Sequence, residues 1–169
     1  MIDVESRVSR TPLNPSSVTK ETYLFTFTHV LGKTSERLRV LAHPAARDRV
    51  QIKVIDKQNN LIGVTQGNLT FDVDGLTAFY ADRSLNWGKY SADQPHIPLA
   101  IGATIAEIVS SETIGRWYSD TDDKLSSDAR KMYGECLAAD KRLKVISPST
   151  ETHHRYAVVA NPSWKNTSA

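Results

Sequence analysis

The chain has 169 residues, 40% of them hydrophobic and 24% charged, which is the size and composition of one globular domain with a real core. Its 21 basic and 19 acidic residues leave a net charge of +2, too near neutral to support a phosphate-tracking surface, so nucleic acid is an unsupported partner. No stretch approaches the ~20 apolar residues needed to span a bilayer, and residues 1–18 hold no apolar run of signal-peptide length. A membrane partner is therefore not expected, and the chain reads as a cytoplasmic protein.

Residues 1–20 are polar, contain Pro12 and Pro15 and follow no period, which predicts an extended or disordered arm. Residues 22–31 alternate Tyr23, Phe25 and Phe27 against Leu24, Thr26 and Thr28, and should form a strand. A short strand is expected at 37–41, broken by His43-Pro44 because proline lacks a donor and restricts the residue before it. Val50, Ile52 and Val54 define the inward face of a strand over 50–56, and Lys57 to Asn60 is turn chemistry. Further strands are expected at 61–64, 68–73 and 76–81, with a turn at Asp72 to Gly75. The first half is thus a β-meander.

Residues 82–97 are irregular and carry Trp87, Tyr90, Pro95 and His96. Long loops in compact domains are often functional, and aromatic side chains bury large areas with few rotors, so Trp87, Tyr90 and His96 are the candidate protein-binding residues. Pro98 suits the first position of a helix, and Ile101, Ile105, Ile108 and Val109 supply its apolar stripe to about residue 112. A strand at 115–119 follows.

Ser126 or Ser127 can cap the clearest helix of the chain, over 126–140. Its stripe is Ala129, Met132, Tyr133, Cys136 and Leu137. The single cysteine, Cys136, lies on that stripe and is expected to pack as a small buried hydrophobe. Strands at 143–147 and 154–160 close the domain, and residues 161–169 form a tail. The fold class is α+β, a mixed and largely antiparallel central sheet with two C-terminal helices. The domain proper spans residues 21–160.

The order strand, helix, strand, helix, strand, strand over residues 76–160 resembles the C-terminal half of the GNAT superfamily, the acyl-CoA-dependent N-acyltransferase fold. The likeness is carried best by GRWYSDTDDKLSSDARKMYGECLAADKRLKVI, whose Ala129 to Tyr133 spacing is similar to the family's Ala-x-x-x-Tyr. The resemblance implies Tyr133 as the acid that protonates the coenzyme A thiolate. It also implies a strand around Trp117 that splays from its neighbour to admit pantetheine. A backbone cradle for the pyrophosphate would then lie at the head of the first helix, at Ile101, Gly102, Ala103 and Thr104. The family pattern Gln/Arg-x-x-Gly-x-Gly/Ala is matched there only by Gly102, so the chain is similar to the small, degenerate members found in bacteriophage genomes.

Asp82, His96 and Glu107 are the candidate bases for an acyl transfer. His153 and His154 are strand neighbours that point to opposite faces and cannot chelate one metal together, and no metal-ligand spacing occurs. The acidic turn Ser119 to Asp123 lacks the glycine and distal glutamate of a calcium loop. Two expectations follow. One is a non-catalytic GNAT-like protein, plausibly phage-encoded, that binds no cofactor and contacts a host or virion protein; the other is an acetyl-CoA-dependent N-acetyltransferase. Either is compatible with an oligomer.

Overall fold

A computed structural model describes residues 2–7, 12–31, 34–45, 49–86, 96–149 and 154–167. The strands are β1 (Ile2–Arg7), β2 (Thr22–Leu31), β3 (Thr34–Pro44), β4 (Arg49–Asp56), β5 (Leu61–Phe71), β6 (Thr77–Asn86), β7 (Arg116–Tyr118), β8 (Leu143–Ile146) and β9 (Ala157–Ala160). They form one sheet in the order β1-β2-β3-β4-β5-β6-β7-β9-β8. Every neighbouring pair is antiparallel except β6 and β7. A parallel pair needs a crossover, and α1 (His96–Ser110) lies in that connection. The largely antiparallel α+β sheet expected from the sequence is therefore present.

Alternation explains which face is core. Phe25, Phe27, Val40, Ile52, Phe79 and Trp117 point inward and are almost fully buried, together with Ile105, Ile108 and Val109 of α1. Arg39, Lys53, Gln66, Tyr80 and Tyr118 sit at the intervening positions and are only half-buried. This is the pattern of an antiparallel sheet with one covered and one wetter face.

The residues expected as a loose arm are built into the fold. β1 pairs with β2 from Ile2↔His29 to Arg7↔Phe25. Leu13 and Val18 are buried, and Leu13 donates its N–H to the Thr113 carbonyl at 2.7 Å while its own carbonyl accepts from Thr77 Oγ1 at 3.1 Å. Two apolar side chains in a polar stretch, each worth roughly 1.5–3 kcal/mol when buried, anchor a segment whose composition alone suggested none.

Two other boundaries move for identifiable reasons. The expected strands at 61–64 and 68–73 are one strand, β5, with a bulge at Gln66/Gly67. A Cβ on Gly67 would lie 2.2 Å from the Tyr80 carbonyl oxygen, so the glycine that reads as a break marks a close approach of two strands. The strand expected at 37–41 runs on to Pro44, which pairs with Val50.

The anchor helix changes character partway. α2 (Ser127–Lys131) is capped by Ser126, whose hydroxyl accepts from Ala129 N–H at 3.1 Å, and it continues as a π-type turn over Met132–Leu137. Widening to the i→i+5 pattern rotates the stripe, so that Met132, Tyr133 and Leu137 are buried and Cys136 is exposed. The expectation of a buried cysteine is corrected by that change of pitch. The expected tail carries a further short helix, α3 (Pro162–Thr167).

Candidate functional site

The site suggested by the sequence lies where β6 and β7 part. They pair over Ala78↔Arg116, Phe79↔Trp117 and Tyr80↔Tyr118, after which β7 ends and β6 continues to Asn86. Past the last pair, the Ala81 and Ser119 carbonyls both accept from one nitrogen of the Arg155 guanidinium, at 2.9 and 2.7 Å. The same guanidinium lies 5.9 Å from the centre of the Tyr80 ring, which is stacked on Tyr118 with centroids 4.4 Å apart. Ser119 is also tied to the segment entering β9, donating its N–H to the Tyr156 carbonyl and accepting the Tyr156 N–H on its hydroxyl. The fork between the two parallel strands is thus laced by an arginine.

On the core side of the fork, Trp117 packs on Phe79 with centroids 4.4 Å apart. Its indole N–H donates to the Tyr133 hydroxyl at 2.9 Å. Tyr133 stacks on Tyr156 at 5.5 Å, nearly parallel. Burial pushes the Tyr133 phenol well above its usual range, and the hydrogen bond from Trp117 only partly offsets that. A phenol in this setting is a weaker acid than tyrosine in water, and its oxygen is already engaged.

The residues expected to cradle a pyrophosphate lie inside a helix. α1 begins at His96, so Ile101, Gly102, Ala103 and Thr104 fall in its second and third turns, where backbone N–H groups bond to carbonyls four residues back. The unpaired amides of a helix are those of its first four residues, here His96, Ile97 and Leu99, since Pro98 has none. Pro98 sits third in the helix and is tolerated because the first turn needs no such donor. Ile101 and Thr104 instead face Trp117 and Ile52 across a void of about 10 Å³, roughly the space of one water. The Met132 side chain of the π-type turn packs against Gly102, 3.4 Å from where a Cβ would be.

Of the candidate bases, Asp82 is held by Arg49 at 2.5 Å. Glu107 is buried and paired with Arg142 at 3.3 Å, and Arg142 is shared with Asp140 at 2.8 Å. His96 opens α1. Trp87 and Tyr90 lie outside the described residues, as does the His96 side chain. Among the described residues no three His, Cys, Asp or Glu side chains are grouped to hold a metal ion.

Three features went unread in the sequence. The first is a polar cluster on the wetter face, where the Asp72 carboxylate accepts from Tyr80 at 2.7 Å, from Arg116 at 2.9 Å and from Tyr118 at 3.0 Å, while Arg116 also reaches Asp74. Burial alone would raise the Asp72 carboxyl, but these three hydrogen bonds outweigh it and hold the group below the usual carboxylate range. The second is the apolar tip of the β5–β6 hairpin, with Phe71, Val73 and Leu76 exposed around it. The alternation Phe71, Val73 across a turn is the signal that could have found it. Arg155, between His154 and Tyr156, gives no such signal, because its role depends on carbonyls 36 and 74 residues away.

No family model matches the chain, and no curated protein is significantly similar to it.

Proposed function

We propose that this protein is a non-catalytic scaffold of GNAT type that works by binding another protein, a host target or a virion component if the chain is phage-encoded. The order β6, α1, β7, α2, β8, β9 supports the GNAT-like part of this reading. The observation that carries the non-catalytic part is Arg155. In the acyltransferase reading the gap between β6 and β7 has to admit pantetheine, and here one guanidinium spans it, bonded to a carbonyl on each side. The engaged hydroxyl of Tyr133 and the helix-interior positions of residues 101–104 agree with it.

Calorimetric titration with acetyl-CoA and with coenzyme A tests the proposal. We expect no heat at millimolar ligand and no thermal shift. Binding near the micromolar range would overturn it in favour of an acetyl-CoA-dependent N-acetyltransferase with Tyr133 as general acid. The protein-binding part is tested by affinity capture from a bacterial lysate, with Trp87→Ala and Tyr90→Ala variants expected to lose the partner that the parent chain retains.

A further inference from the structure

Independently of that reading, the arginines of this chain are not all neutralised. Arg49, Arg116, Arg130 and Arg142 each pair with an aspartate or glutamate, at 2.5 to 3.3 Å. Arg155 does not. Among the described residues its guanidinium meets only the Ala81 and Ser119 carbonyls, both through Nη1, and the ring of Tyr80. The carboxylates that flank the fork are committed elsewhere: Asp82 to Arg49, Asp72 to Arg116 and the two tyrosines, and Asp120 to the Thr121 N–H.

A guanidinium presents its N–H groups in one plane, as a fixed fork. Nη1 carries both bonds to the carbonyls, which leaves the Nε and Nη2 edge without a hydrogen-bond partner among the described residues. Arg155 is half-buried, so its charge is partly withdrawn from water, and two neutral carbonyls and a ring do not cancel it. The edge is also held in place. Its two anchoring carbonyls belong to different branches of the fork, and the Tyr80 ring beside it, 5.9 Å from the guanidinium carbon, is itself stacked on Tyr118. Donors oriented in advance lose little entropy when a ligand arrives.

The Nε–H and the adjacent Nη2–H point the same way, at the spacing of the two oxygens of a carboxylate. We infer that this edge of Arg155 is a binding site for a carboxylate, brought by a small organic acid or by the acidic side chain of a peptide. One guanidinium neutralises one carboxylate. A phosphate monoester brings a charge of about −1.5 to −2 at neutral pH, towards a fork already lined by the Ala81 and Ser119 oxygens, and is disfavoured.

The experiment is an NMR titration of the full chain that follows arginine Nε–H resonances, each assigned through its own side-chain carbons. Ionic strength is held constant with chloride. Acetate probes the small acid, an end-blocked Gly-Asp-Gly peptide the acidic side chain, and methyl phosphate the competitor. We expect the Arg155 Nε–H to shift and saturate with a midpoint of about 5–100 mM in acetate or in the peptide, the scale of one charge-assisted pair. The Arg49 Nε–H, whose guanidinium is paired with Asp82, should move little. Whichever carboxylate has the lower midpoint names the source. Backbone shifts at Ser119 and Tyr156 should follow the same curve, and Arg155→Lys, which keeps the charge but not the paired donors, should raise its midpoint about fivefold or more. The absence of a saturable shift at Arg155, an equal response at Arg49, or tighter binding of methyl phosphate than of either carboxylate would overturn the inference in the parent chain alone. An unchanged midpoint in Arg155→Lys would overturn it as well.

Discussion

The Trp117 indole N–H and the Tyr133 hydroxyl meet at 2.9 Å inside the core, joining β7 to the π-type turn that follows α2. Both side chains are almost wholly buried, so neither polar atom has water to fall back on. Tyr133→Phe should therefore cost about 1–3 kcal/mol of stability by stranding the indole donor, measured as a lower denaturant midpoint at unchanged slope. The same burial favours the neutral phenol. Its pKa lies higher folded than unfolded, so the associated stability is complete below about pH 10 and is lost as the solution is made more alkaline. Absorbance titration at alkaline pH should show the Tyr133 ionisation only together with unfolding, and ionisation in the native state would contradict the buried placement.

Asp72 has the opposite sign. Its carboxyl is held below the usual aspartate range, so the ion favours the folded state above about pH 4 and its contribution fades on acidification. Asp72→Asn should melt earlier than the parent at neutral pH, by the equivalent of about 1.5–3 kcal/mol for charge-assisted hydrogen bonds. The two melting curves should converge as the pH falls below about 4. A gap that stays constant through that range would show that packing, not charge, sets the effect.

Removing the arginine that spans the fork should loosen it locally. Arg155→Ala leaves the Ala81 and Ser119 carbonyls without their shared donor, and the cost expected is about 1–3 kcal/mol. Hydrogen exchange should quicken first at the amides around Ser119 and Tyr156, where the segment entering β9 is attached, before the β2–β5 ladder changes. Uniform acceleration across the sheet would mean that Arg155 supports the whole fold instead.

Cys136 faces solvent at the widened turn. A thiol reagent should label the native protein fully at pH 8 within minutes, as expected of a cysteine open to solvent. Labelling only in denaturant would place the residue back on the buried stripe of a regular α-helix.

That cysteine illustrates where sequence reading stops. Period-2 alternation located β2 and β4 to within a residue, because strand burial there depends only on which face each side chain takes. Helical period located α2 as well, but the π-type turn that follows it packs Met132 on Gly102 and bonds Tyr133 to Trp117, contacts distant in sequence that no local period reports. The head of α1 slipped by two residues because proline fits several positions of a first turn equally well. Arg155 and Asp72 act through partners brought together only by the crossover, so no local pattern announces them. The apolar tip was hidden differently: Asp72 and Gly75 read so strongly as a turn that the exposed Phe71, Val73 and Leu76 around them went unremarked.

The strand order has a consequence for how the chain reaches this state. From β1 to β6 each strand pairs with the one made just before it, so that part of the sheet can grow hairpin by hairpin as the polypeptide emerges. β9 is made after β8 yet lies between it and β7. Until β9 arrives, β7 has a bare margin three residues long and β8 has no neighbour at all. Closure is thus a late, long-range insertion, and a chain in which β9 has yet to dock leaves the backbone margins of β7 and β8 open to pairing with another chain.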